Sequence, residues 1–273
     1  MKSAPSEPAR GRSRTTAEPP RNPRTMVFPI GDVERTRIVP WATYTIIALN
    51  IAAYVVQLTQ DDRFTAAYSA TPYEITRGID IERPFYLPRD QPAVESSNAA
   101  SELIEQGPVA FPVRWTLLTA QFLHEDPLHI AFNMLFLWIF GDNVEEVLGG
   151  LGFLAFYFVC GTVGLLAEVA HRPDSFAPIL GASAAVAGVM GAYLVWFPRY
   201  HVRVLLIRYI IEVRAVWVIG LWILVQVLRE LMPMSEVGGV AYLAHLAGAA
   251  SGILAAMLLT RRAARFSRRF DPA

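Results

Sequence analysis

Four polar side chains in this sequence have a type that can do chemistry and an apolar setting that makes them conspicuous. Ser183 opens a long apolar run in GASAAVAGVMGA, the segment that begins at Gly181. His245 lies inside LAHLAGAASGILAA, and His129 and Asn133 stand four apart in HIAFN. A helix sets residues four apart on one face, so His129 and Asn133 share a surface. A serine paired with a histidine is the minimum equipment for nucleophilic hydrolysis. The imidazole takes the hydroxyl proton as general base and returns it to the leaving group as general acid. A serine at the start of a helix also meets free N–H groups and the positive end of the dipole, which favour a developing oxyanion.

Each of these residues has an ordinary reading beside the chemical one. A lone serine in an apolar helix commonly packs or bonds back to its own chain, and His129 and Asn133 can simply bond to neighbouring helices. Spacing favours the chemical reading. From Ser183 the same helical face runs through Ala187 and Gly191; from His245 it runs through Gly248, Ala249 and Gly252. Small residues let membrane helices approach backbone to backbone, which would bring a hydroxyl on one stripe to an imidazole on the other. Gly181 and Ala182 leave the same room beside the nucleophile. With no Asp or Glu in either run, the expected arrangement is a Ser183–His245 dyad. The backbone N–H of Ser183, with His129 and Asn133, would form the oxyanion hole.

The elements that must hold these residues follow from composition. The 273 residues are 53% hydrophobic and 18% charged, with mean hydropathy +0.34, and the apolar residues come in blocks. That balance marks an integral membrane protein. Blocks near the ~20 residues needed to cross a bilayer lie at about 41–58, 128–148, 152–170, 182–197, 215–232 and 241–260. Six spans put both termini on one side, and 17 of the 24 Lys and Arg fall on that side. The long first loop, 59–115, holds nine acidic residues instead. Both termini are therefore expected in the cytoplasm.

The zero net charge gives no reason to expect nucleic acid as a partner. The single cysteine, Cys160, excludes an internal disulfide framework and a cysteine-based zinc site and reads as a small packing residue. Residues 1–38 are Pro-rich and charged, without the apolar core of a cleavable signal, and are expected to be a disordered cytoplasmic tail. Their prolines and acids also argue against a mitochondrial transit peptide. Residues 39–260 would be the six-span domain and 261–273 a basic cytoplasmic tail. The segment HVRVLLIRYIIEV at 201–213 either extends the fifth span or lies along the cytoplasmic interface.

Three motifs in fixed order, FLHEDPLHIAFNMLFLWIFGDNVEEVLG, GASAAVAGVMGAY and AHLAGAASG, resemble the rhomboid family of intramembrane serine proteases over roughly residues 40–260. The resemblance implies an all-α integral membrane fold, a bundle of six transmembrane helices with a long first loop (L1). It implies Ser183 as nucleophile, His245 as base, and His129 and Asn133 in the oxyanion hole. His124 and Glu145 match positions with structural roles, and Gly181, Gly191, Gly248 and Gly252 support the site. Substrates would be membrane proteins cut within or beside a transmembrane helix, with water entering from the outer face. The bilayer is the other partner. No cofactor and no metal are implied, the location would be a bacterial plasma membrane, and the oligomeric state is left open.

The sequence departs from the family pattern in three places. Ala184 follows the nucleophile where glycine is usual, placing a methyl where it could crowd the oxyanion pocket. A common Trp-Arg pair appears as Arg114-Trp115. Ala187 stands where some members have a tyrosine beneath the histidine, so any ring support must come from elsewhere. The main rival reading is a catalytically inactive relative that binds membrane helices without cutting them, which Ala184 alone favours. A metalloprotease is disfavoured because His124-Glu125 is followed by His129, not a histidine at the spacing of HExxH, and Pro127 interrupts. A transporter is disfavoured by the lack of an inverted repeat or a buried carboxylate for ion coupling.

Overall fold

The computed structural model describes residues 27–33, 36–87, 102–206, 208–231 and 241–260. The chain enters as strand β1 (Val27–Asp32) and helix α1 (Trp41–Gln57). Helix α1 has no side-chain cap of its own. The buried Glu145 of a later helix caps it instead, accepting from the backbone N–H groups of Ala42 (3.0 Å) and Thr43 (2.8 Å) and from the Thr43 hydroxyl (2.8 Å). A carboxylate at a helix N-terminus satisfies orphan donors and complements the dipole.

The loop after α1 contains helices α2 (Asp62–Tyr68) and α3 (Pro72–Arg77) and an antiparallel pair, β2 (Phe85–Leu87) with β3 (Glu102–Ile104). Asp61 caps α2 by accepting from the Phe64 N–H at 3.1 Å. Two 3₁₀ turns, Val113–Trp115 and Ala120–Phe122, flank the short α4 (Thr116–Thr119). Five longer helices follow: α5 (Pro127–Leu148), α6 (Gly150–His171), α7 (Ser183–Trp196), α8 (Ala215–Leu231) and α9 (Tyr242–Leu258). With α1, these occupy the six apolar blocks of the sequence.

Among the described residues, α6 alone is long and apolar enough to cross a membrane by itself, with 22 residues and mean hydropathy 1.9. Helices α1, α7 and α9 are apolar but have 17, 14 and 17 residues. At 1.5 Å per residue α7 is about 21 Å long, which suits a helix that starts below a membrane surface.

Two expectations need correction. The chain is mostly helical, as the all-α class requires, but residues 201–214 form a hairpin, β4 (His201–Leu206) with β5 (Tyr209–Arg214), so they do not extend α8 as a helix. Alternating β-branched residues suit a strand better than a helix there. Strand β1 joins its free edge to make the order β1-β4-β5, with a register shift between Pro29 and Gly31 where proline cannot donate to the ladder. The stretch read as a disordered tail therefore contains a paired strand at 27–32. Residues 1–26 and 34–35 of that tail and the C-terminal tail (261–273) lie outside the described residues.

The main core gathers Ile46, Leu137, Phe140, Phe153, Tyr157, Met190 and Tyr193 from α1, α5, α6 and α7. A smaller cluster of Ala70, Leu117, Ala120 and Leu165 seats the first loop on α6.

Candidate active site

Ser183 is the first residue of α7, and the chain that delivers it is tied down on both sides. The connection from α6 pairs with the first loop through reciprocal hydrogen bonds between Ala70 and Ile179 (2.9 and 3.0 Å) and one from Tyr73 N–H to Ser175 O (3.0 Å). Arg77 meets Asp174 at 2.6 Å, and Tyr73 stacks on Phe176. The N–H of Gly181 then donates to Ala120 O at 2.8 Å. Gly181 has φ +120°, a region L side chains rarely adopt. A Cβ built there would stand 2.8 Å from His129 Nε2 and 3.6 Å from Ser183 Oγ. The missing side chain thus leaves a space that imidazole and hydroxyl both face. Residue Ala182 at the N-cap offers no side-chain acceptor, so the N–H groups of the first turn stay available.

His245 reaches this serine from α9, with Nε2 2.7 Å from Ser183 Oγ. The approach depends on glycines. A Cβ at Gly248 would overlap the carbonyl oxygen of Ala184, one at Gly252 that of Gly188, and one at Gly191 that of Ala249. Helices α7 and α9 meet backbone to backbone, at a distance no side chain would permit. Two glycines outside the expected set do the same work. Gly188 faces Cys160 of α6, and Gly164 of α6 faces both Ala244 O and Ala184 Cβ.

This placement bears on the two departures nearest Ser183. The Ala184 methyl faces Gly164, 2.7 Å from where a Cβ would begin there, and Ala184 is buried. It therefore packs against α6. Ring neighbours of His245 come from elsewhere than position 187. Trp222 of α8 lies 5.9 Å away, centroid to centroid, and Tyr242 of α9 lies edge-on at 6.4 Å.

His129 and Asn133 share one face of α5, whose start is fixed by Asp126 accepting from Leu128 N–H (2.7 Å) and His129 N–H (2.9 Å). Asn133 is buried, and its Nδ2 has no acceptor among the described residues. A buried amide donor without a partner is costly, and here it sits on the same face as the histidine that meets Gly181. His124 is fully buried beneath, edge-on to His129 with centroids 5.1 Å apart. The Gln57 amide grips its backbone by donating to His124 O (2.8 Å) and accepting from His124 N–H (3.0 Å). Burial, reinforced by His129, lowers the His124 imidazole to about 4, so it is neutral at pH 7. Glu125, next in the chain, is exposed. Among the described residues no group of three or more His, Cys, Asp or Glu is placed to hold a metal ion.

One residue escaped the sequence reading. Gln226 of α8 is buried, and its Oε1 lies 3.0 Å from His245 Nδ1. Its signal was the one used for the others, a lone polar side chain in an apolar run.

A family model described as the rhomboid domain matches residues 113–262, which include all the site residues above. The rhomboid protease GluP of Bacillus subtilis (strain 168) is 41% identical over 80 residues, covering 29% of this chain and 15% of that protein. RHOMBOID-like protein 6, mitochondrial, of Arabidopsis thaliana is 27% identical over 171 residues, covering 60% of this chain and 53% of its own length. Rhomboid protein 1, mitochondrial, of Saccharomyces cerevisiae is 30% identical over 146 residues, covering 51% and 40%. The chain thus spans about half or less of the length of these relatives.

Proposed function

This chain belongs to the rhomboid family of membrane proteins, and we propose that it is a serine endopeptidase that cuts membrane-protein substrates within or beside a transmembrane helix. The observation that carries this reading is the 2.7 Å contact between Ser183 Oγ and His245 Nε2 at the first turn of α7. Ser183 Oγ attacks the scissile carbonyl carbon while its proton passes to His245 Nε2. The oxyanion forms beside the Ser183 N–H, and His129 and Asn133 of α5 supply its further donors. Collapse breaks the C–N bond as His245 returns the proton to the leaving amine. Water then hydrolyses the acyl-enzyme by the same two transfers.

In this reading α1, α5, α6, α7, α8 and α9 are the six spans. The first loop and Ser183 lie toward the outer face, and the β1-β4-β5 sheet and both termini lie in the cytoplasm, in keeping with the basic residues. His124 and Glu145 serve as struts. His124 backs the His129 ring, and Glu145 joins α5 to the start of α1. Purified protein in detergent should react with a fluorophosphonate probe and cleave a model transmembrane substrate. Equal cleavage by wild type and Ser183→Ala would refute the nucleophile. A helix-binding relative without catalysis would instead keep its binding activity in Ser183→Ala.

A further inference from the structure

We infer that Gln226 is a positioning residue that holds His245 in the tautomer the reaction needs. The inference rests on the protease reading above. To accept the Ser183 proton, His245 must present a lone pair at Nε2, which requires the ring proton at Nδ1. A proton at Nδ1 inside an apolar bundle needs an acceptor. The ring makes two hydrogen bonds among the described residues, to Ser183 through Nε2 and to Gln226 Oε1 through Nδ1 at 3.0 Å. An amide oxygen accepts and cannot donate, so with this contact in place the alternative tautomer would face Oε1 with a lone pair.

Packing supports the same role. Helix α8 is exposed over much of its length, and its buried residues are Ala215, Ile219 and Gln226. Two of the three are apolar and fill space; a glutamine on that face has no packing reason to be there. Trp222, one turn earlier, lies against the same imidazole. A neutral amide fixes the ring without adding a charge to the span. It supplies the orienting part of what the Asp of a Ser-His-Asp triad does, while giving the imidazolium less support than a carboxylate would.

The test compares wild type, Ser183→Ala, Gln226→Leu and Gln226→Glu on a transmembrane substrate, with thermal unfolding measured alongside. Gln226→Leu removes the acceptor and should lower kcat about tenfold, the worth of one hydrogen bond, with KM little changed. Gln226→Glu keeps an acceptor in place. It should recover much of kcat and move the acid limb of the kcat/KM profile to higher pH, because a carboxylate favours the protonated ring. A purely structural glutamine would not move that limb. If Gln226→Leu fails to fold, the position of the acid limb in Gln226→Glu decides alone. Wild-type kcat in Gln226→Leu, or an unmoved limb in Gln226→Glu, overturns the positioning role while an inactive Ser183→Ala leaves the protease reading standing. Equal cleavage by wild type and Ser183→Ala brings down both.

Discussion

Between α7 and α9 glycines stand at three close backbone approaches, with Gly248 against Ala184, Gly252 against Gly188 and Gly191 against Ala249. Helix α8 meets the bundle differently. It leaves Trp217, Leu221 and Leu224 exposed, and a Cβ at Gly220 would meet nothing within 4 Å. The first interface sets a distance and the second delivers a group. Backbone contact is stiff, since the atoms that touch cannot change rotamer, and it holds Ser183 and His245 at hydrogen-bonding range. Helix α8 adds one polar side chain to that frame. A serine and a histidine can thus be held together by residues with no chemistry of their own, while a further hydrogen bond to the imidazole comes from a more exposed neighbour.

The largest effect expected belongs to the pair itself. Ser183→Ala and His245→Ala should each lower kcat by about 10⁴ or more, with the double variant little worse than either, because the two residues act as a unit. Additive losses in that cycle would break the claim that α7 and α9 present one device. Next, Asn133→Ala on α5 should lower kcat by about 10²–10³ with less effect on KM, as removal of an oxyanion donor does. A pure KM effect would move Asn133 from the reacting centre to substrate binding.

The glycines test the comparison directly. Gly252→Ala forces a backbone shift and should cost about 1–3 kcal/mol together with activity. The same substitution at Gly220 should be neutral or stabilise by up to about 1 kcal/mol through helix propensity. Similar melting temperatures for the two variants in detergent would show that the close approach of α7 and α9 has been misjudged. A further expected effect is in pH. His124 is held neutral, with its folded value lowered to about 4 from the ordinary 6.5. Its contribution is fully present above about pH 6.5 and is lost as pH falls toward 4. Wild type should therefore lose more thermal stability between pH 7 and pH 4.5 than His124→Phe does.

Much of the helical frame was legible in the chain. Each of the six apolar blocks matches one of the long helices to within two residues, because a sustained apolar run carries its own signal. The stripes through Ser183 and His245 were legible for a similar reason, as helical periodicity acts inside one element. The sheet was not. Strand β4 has a partner in β1, far back in a segment whose composition reads as a tail, and nothing local announces that pairing. Gln226 carries the same signal as the others, a lone polar side chain in an apolar helix, but what gives it meaning is His245, its partner, which lies 19 residues on.

The amino-acid order by itself determined where helices form, which of them carry small residues along one side, and which polar groups are stranded in apolar surroundings. Those are properties of composition and period. Only the tertiary structure decided that the Ala184 methyl points to Gly164, that Trp222 and Tyr242 rather than position 187 flank the imidazole, and that a glutamine completes its hydrogen bonds. Each of these depends on which faces of separate helices meet. That choice is made by the packing of the whole bundle, and no single segment encodes it.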